Sequence, residues 1–281
     1  MIISVASGKG GTGKTTVAVA LALSLSEEYP VQFLDSDVEE PDAHLFLQLQ
    51  INRSVAVEVP IPEILEDRCT HCGLCAQFCA YKALAVLKDT VLVFPELCQS
   101  CGGCQLICPE QAIKEVGQRI GVIEYGLAGK IQFIQGKLDI GQTRPTPLTR
   151  EIKKQIIPTN LVVIDSPPGT SCPVVEAVRG SHFTLLVTEP TPFGLNDLKL
   201  SVEVLRQLDV HLGVIINRAG LGADNLIEDY CRQENIPVLM KIPFDRQIAR
   251  AYSQGKPLTT ALPQYQEKFK ALFRTIRELS R

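Results

Sequence analysis

Eight of the ten cysteines in this chain fall into two runs of identical spacing: Cys69, Cys72, Cys75 and Cys79, then Cys98, Cys101, Cys104 and Cys108, the last followed by Pro109. Both read C-x2-C-x2-C-x3-C. Thiolates are soft, charge-rich ligands, and gaps of two and three residues let one tight loop wrap a metal centre, the spacing that suits a [4Fe–4S] cluster. Zinc is the competing metal, because C-x2-C pairs also hold Zn2+; two evenly spaced quartets and Pro109 favour iron–sulfur. A second constellation lies at the start of the chain. Gly8-Lys9-Gly10-Gly11-Thr12-Gly13-Lys14-Thr15, followed by Thr16, fits the phosphate-binding template G-x-x-x-x-G-K-[ST]. Successive backbone N–H groups and a helix N-terminus converge on phosphate oxygens in such a loop. Lys14 meets the β- and γ-phosphates of the template, and Thr15 ligates Mg2+.

These residues need a scaffold, and the flanking sequence supplies strand and helix signals in alternation. Ile2–Ala6 reads as a first buried strand, Thr15–Glu28 as a helix and Val31–Leu34 as a second strand. Further strands read at Leu161–Asp165, Phe183–Thr188, Leu212–Asn217 and Pro237–Ile242, with helices near 149–156, 173–180, 195–208 and 224–235. Strands alternating with helices imply an α/β fold whose mainly parallel sheet is covered on both faces. Between the two α/β stretches the chain repeats itself: a shift of 29 residues carries Cys69 onto Cys98 and Ala83-Leu84 onto Ala112-Ile113. The expected organisation is a nucleotide-binding domain in two parts, 1–60 and 116–281, interrupted by a cysteine-rich insertion at 61–115. Pro60 and Pro62 mark the change. So short a module has little core of its own, and metal–thiolate bonds would supply much of its stability. The glycine-rich segment 117–147 suggests short strands and turns, with no function assigned to it.

Composition limits the partners. The 281 residues carry a formal charge of −3, which gives no electrostatic case for nucleic acid. No run of about 18 uncharged apolar residues suggests a membrane span. Met1–Ala6 lacks a basic leader and runs straight into the glycine loop, so it reads as a core strand rather than an export signal. Metal ligation, rather than disulfides, is then the reading of the cysteines, and a cytoplasmic location is expected.

The extra lysine, Lys9, makes the loop similar to the deviant Walker A loop of the MinD/ParA/Mrp and nitrogenase-iron-protein class. That resemblance covers 1–60 and 116–281 and implies a doubly wound fold that binds ATP or ADP with Mg2+. It implies that Lys9 reaches across an ATP-dependent homodimer to the partner's nucleotide, as a charge supplied in trans. Asp37 resembles the switch I aspartate that activates the attacking water. Asp165 resembles the Walker B acid that holds Mg2+ through water, and Ser166-Pro167-Pro168-Gly169-Thr170 the switch II turn. Asn217 and Arg218 resemble the pair that reads adenine, and Pro243-Phe244-Asp245 the late loop beside the base. The insertion resembles a ferredoxin-like module with two [4Fe–4S] clusters. In two-cluster ferredoxins the fourth cysteine of each run ligates the other cluster. The resemblance therefore implies Cys69, Cys72, Cys75 and Cys108 around one, and Cys98, Cys101, Cys104 and Cys79 around the other.

The expected function is ATP hydrolysis by a dimeric switch coupled to electron transfer through both clusters, toward a redox or iron–sulfur acceptor protein that no motif identifies. Two alternatives stand beside it: an iron–sulfur assembly or carrier factor, and a nucleotide-gated regulatory switch whose clusters sense or staple. Cys172, seven residues after Asp165, matches the place of a cluster ligand in the nitrogenase iron protein. A free thiol beside the switch is the favoured reading, with a cluster bridging two subunits as the alternative. Cys231 reads as a buried helix cysteine. The tail 263–281 aligns Tyr265, Phe269, Leu272, Phe273, Ile276 and Leu279 on one helical face. A helix packed on the sheet is favoured over a membrane-binding one.

Overall fold

The computed structural model describes residues 1–280. Strand β1 (Ile2–Ala6) leads through the glycine loop into α1 (Lys14–Leu25) and β2 (Val31–Asp35). A long strand, β3 (Gln50–Ile64), carries the chain out to α2 (Leu74–Phe78), β4 (Leu84–Val86), β5 (Val91–Val93) and α3 (Gly103–Ile107). Strand β6 (Ile113–Ala128) brings it back. Next come β7 (Ile131–Leu138), α4 (Pro145–Lys153), β8 (Leu161–Asp165), α5 (Cys172–Val178), β9 (Phe183–Thr188) and α6 (Pro192–Gln207). Strands β10 (Leu212–Ala219) and β11 (Val238–Pro243) flank α7 (Asp224–Gln233), and α8 (Arg246–Ser253), α9 (Leu258–Ala261) and α10 (Gln264–Leu279) follow.

Nine strands form one sheet in the order β11-β10-β9-β1-β8-β2-β7-β6-β3. Every pairing from β11 to β7 is parallel, while β6 pairs antiparallel with both β7 and β3. The parallel strands β1, β2, β8 and β9 are buried almost throughout, as helices on both faces require. On one face α1 and α10 pack over Ile3, Val5, Phe33, Phe133 and Val163. Helix α1 is Ala/Val/Leu-rich all round because it lies between the sheet and α10. On the other face α4 and α5 cover Leu34, Val162 and Ile164, and α5, α6 and α7 cover Leu186, Val214 and Ile216. The fold is thus doubly wound. The tail helix buries Tyr265, Phe269, Leu272, Phe273 and Ile276 and leaves only Leu279 of that face exposed. Its apolar stripe is core-facing, and no helix among the described residues is long and apolar enough to cross a membrane.

Two expectations need correction. The segment 117–147 is not a series of short strands: β6 has 16 residues and β7 has 8, and both belong to the main sheet. Its glycines mark close approach, not turns alone. A Cβ on Gly136 would meet Ile152 at 2.6 Å and Val38 at 2.7 Å, and one on Gly121 would meet the Lys137 carbonyl at 2.3 Å. Second, positions 60 and 115 fall inside β3 and β6, so the sheet runs on as a two-stranded ribbon toward the cysteines. Pro60 and Pro62 do not end that strand, because β3 is the sheet edge and proline is tolerated there.

Candidate functional site

The end of β1 delivers the glycine loop to the centre of the sheet's carboxyl edge. Gly13 takes a left-handed φ of 91° immediately before α1. A Cβ there would meet Asn217 Nδ2 at 2.3 Å, and that same nitrogen donates to the Thr12 carbonyl at 2.7 Å. Asn217 therefore supports the loop from the end of β10, and only glycine fits beneath it.

Lys14 opens α1 and lies 3.1 Å from Asp37 Oδ2 and 3.4 Å from Asp165 Oδ1. Burial alone would lower its pKa; the carboxylates of Asp165, Asp37 and Asp35 outweigh that and hold it above the usual lysine value. Asp35, at the end of β2, accepts from the backbone N–H of Asp37 at 3.2 Å and of Ala43 at 3.1 Å. It shapes the loop that presents Asp37. Ser36 donates to the Asp165 carbonyl through both its N–H and its hydroxyl, tying the ends of β2 and β8 together.

Asp165 is fully buried at the end of β8, and neither carboxylate oxygen has a hydrogen-bond partner. Burial pushes its pKa up to about 6 against the pull of Lys14. A buried carboxylate whose charge is met only by Lys14, beside Thr15 and two further acids, fits a divalent cation. The Thr12 hydroxyl is likewise buried without a partner. Thr12, Lys14, Thr15 and Asp37 line a cleft of about 460 Å3, together with Gly10, Gly11, Thr16, Pro168, Arg218 and Pro243-Phe244-Asp245.

Lys9 stands apart from Lys14. It pairs with Glu189 at 3.1 Å, and Glu189 also pairs with Arg218. Arg218 in turn donates from Nη2 to the Gly11 carbonyl at 3.2 Å and holds a left-handed φ of 55°. Glu189, just beyond β9, is only 8% exposed and had no motif to mark it. Among the described residues it is the one acid that joins the loop lysine to Arg218 on β10.

The cysteine runs repeat in backbone as in sequence. Helices α2 and α3 are related by the 29-residue shift, as are the left-handed residues His71 and Ser100, Gly73 and Gly102, and Lys82 and Gln111. The N–H groups of Ala83 and Ala112 donate to Cys79 Sγ and Cys108 Sγ at 3.4 and 3.3 Å. Two cavities open between the halves. Cys69, Cys72, Cys75 and Cys108 line one; Cys79, Cys98, Cys101 and Cys104 line the other. Among the described residues no three His, Cys, Asp or Glu side chains converge on a point that a single ion would occupy. Cys172 is exposed at the first turn of α5, and Cys231 is buried in α7, where burial pushes its thiol up to about 11.

Residues 3–258 match the model of the CobQ/CobB/MinD/ParA nucleotide binding domain. The chain is 30% identical over 261 residues to the protein MJ0579 of Methanocaldococcus jannaschii, covering 91% of this chain and 90% of that one. It is 28% identical over 273 residues to the iron-sulfur cluster carrier protein of Rickettsia typhi, covering 95% and 69% respectively. In fold it is similar to the septum site-determining protein MinD from Pyrococcus horikoshii, solved with Mg-ADP, with a TM-score of 0.60 at 20% identity over 99% of this chain and 95% of that one. The chain belongs to the CobQ/CobB/MinD/ParA family of nucleotide-binding domains.

Proposed function

We propose that this protein is an ATP-hydrolysing dimer switch coupled to electron transfer through two [4Fe–4S] clusters held by crossed cysteine quartets. The observation that carries the reading is the composition of the two cavities. Each is lined by three cysteines of one run and the fourth of the other. Zinc needs four sulfurs within about 2.3 Å of one point; four sulfurs spread around a cavity suit the larger cubane. Each cluster would supply a site that stores and releases one electron.

At the nucleotide end, Lys14 and the loop N–H groups bind phosphate, and Thr15 and Asp165 would hold Mg2+. Mg2+ would neutralise the charge on the β- and γ-phosphate oxygens. Asp37 orients the attacking water from the end of β2. Asn217 and Arg218 border the base end of the cleft with Pro243-Phe244-Asp245. Lys9 must leave Glu189 before it can serve a nucleotide on the partner subunit, and this exchange would link ATP binding to dimer formation.

A second reading has its own support: the likeness to a protein named as an iron–sulfur cluster carrier. In that case the bound clusters are cargo for an acceptor protein. One experiment separates the two. Anaerobically purified protein is assayed for iron, sulfide and ATP hydrolysis, then mixed with an iron-free ferredoxin under MgATP. Clusters that stay bound through many turnovers support the electron-transfer switch; transfer of iron to the acceptor supports the carrier. Protein with stoichiometric zinc and no sulfide would contradict both.

A further inference from the structure

Arg144 lies at the start of α4, in the α/β part of the chain, yet its guanidinium reaches the cysteine module. Its Nη1 donates to the carbonyl of Cys98 and, at 3.3 Å, to the hydroxyl of Ser100. The residue is 8% exposed, Nε and Nη2 have no partner, and no carboxylate among the described residues pairs with it. A buried cation without a counter-anion is costly unless something anionic stands nearby. The Cys98 run that Arg144 contacts would carry such an anionic group once its thiolates hold a cluster. Its negative charge grows by one on reduction.

Ser100 deepens the connection. While its hydroxyl meets Arg144, its backbone N–H donates to Cys98 Sγ at 3.4 Å. Hydrogen bonds to ligand sulfurs and nearby charge are the levers that set cluster potential. The related half of the module is built differently. The 29-residue shift carries His71 onto Ser100, and His71 Nε2 lies 3.5 Å from the Glu66 carboxylate. No backbone N–H reaches Cys69 Sγ among the described residues.

We propose that Arg144 is a positioning residue that clamps Cys98 and Ser100 and raises the reduction potential of the Cys98-side cluster but not that of the Cys69-side cluster. The inference rests on the two-cluster reading given above. Arg144 also joins that side of the module to α4, which packs on α5, the helix that begins two residues after Thr170.

The test is a potentiometric titration, followed by electron paramagnetic resonance, of anaerobically purified wild type, R144Q and R144K. Removal of positive charge disfavours the reduced state. In R144Q one potential should fall by at least about 59 mV, a tenfold change in a one-electron equilibrium, while the other stays. The shifted signal should be the one that C101S removes. R144K keeps the charge without the planar fork and should shift less in the same direction. Two unshifted potentials in an iron-replete R144Q would overturn the proposal, as would an equal shift of both or a shift of the other cluster alone. If R144Q loses iron, R144M, which likewise removes the charge, is judged by the same criteria. Wild-type protein without two cluster signals would overturn the cluster reading and this inference with it, an outcome distinct from any failure of the variants.

Discussion

At the scale of single residues, two lysines in one loop carry different tasks because different acids hold them. Lys14 is locked among Asp37 and Asp165, whereas Lys9 is tied to Glu189 on the far side of the loop. K14A should abolish nucleotide binding by equilibrium dialysis. K9A should retain binding but lose hydrolysis and ATP-dependent dimerisation; wild-type turnover in K9A would rule out a role across the dimer. E189Q weakens the cis pairing of Lys9 and Arg218 and should lower, several-fold, the ATP concentration needed for dimerisation in sedimentation experiments. An unchanged midpoint would count against Glu189 as the restraint. The two cysteines outside the runs also differ. At pH 8 Cys231 is almost wholly protonated, since burial raises its thiol to about 11, while Cys172 is exposed. Only the thiolate reacts. Iodoacetamide on iron-loaded protein should therefore modify Cys172 and spare Cys231, as peptide mapping would reveal. The sequence made Lys9, Lys14, Asp37 and Asp165 legible because each sits at a fixed distance from a glycine loop or a strand end. Glu189 and Arg144 act through contacts with residues distant in the chain, to which no local spacing points.

At the scale of elements, backbone needs explain what composition left open. Gly13 is the strictest case: G13A would require a left-handed φ and a Cβ 2.3 Å from Asn217 Nδ2. It should lose nucleotide binding as K14A does, with the loop displaced from Asn217. Helix α10 was legible from its 3.6-residue periodicity, and its burial beside α1 follows from the same stripe. F269A removes a fully buried ring and should cost about 3–5 kcal/mol in chemical denaturation. The wild-type protein should not co-float with anionic vesicles, because this face is already occupied; binding that F269A abolishes would reverse that assignment. The ribbon of β3 and β6 was illegible for a physical reason. Its glycines and prolines usually signal turns, but here they serve an edge strand and the close packing of α4 on the sheet.

At the scale of the molecule, the parallel sheet gathers β1, β2 and β8 so that Lys14, Asp37 and Asp165 meet at one edge. The long ribbon carries the cysteine runs out beyond the carboxyl end of β7, continuous with the same sheet. The cysteine module is thus tied to the α/β part through continuous strands and through Arg144. Crossed ligation has its own consequence: C108S should disturb the cluster served by the first run, and C79S that served by the second. Damage confined to the run that contains each substitution would refute the crossing. The central claim, that nucleotide and clusters belong to one machine, is tested most directly by an anaerobic redox titration of the wild-type protein with and without MgATP, read by electron paramagnetic resonance. Two [4Fe–4S] signals are expected, at least one of them shifted by tens of millivolts when MgATP is present, with about 59 mV marking a tenfold change in equilibrium. Two signals whose potentials ignore MgATP would contradict the coupling, and the absence of [4Fe–4S] signals would contradict the assignment of the cysteines.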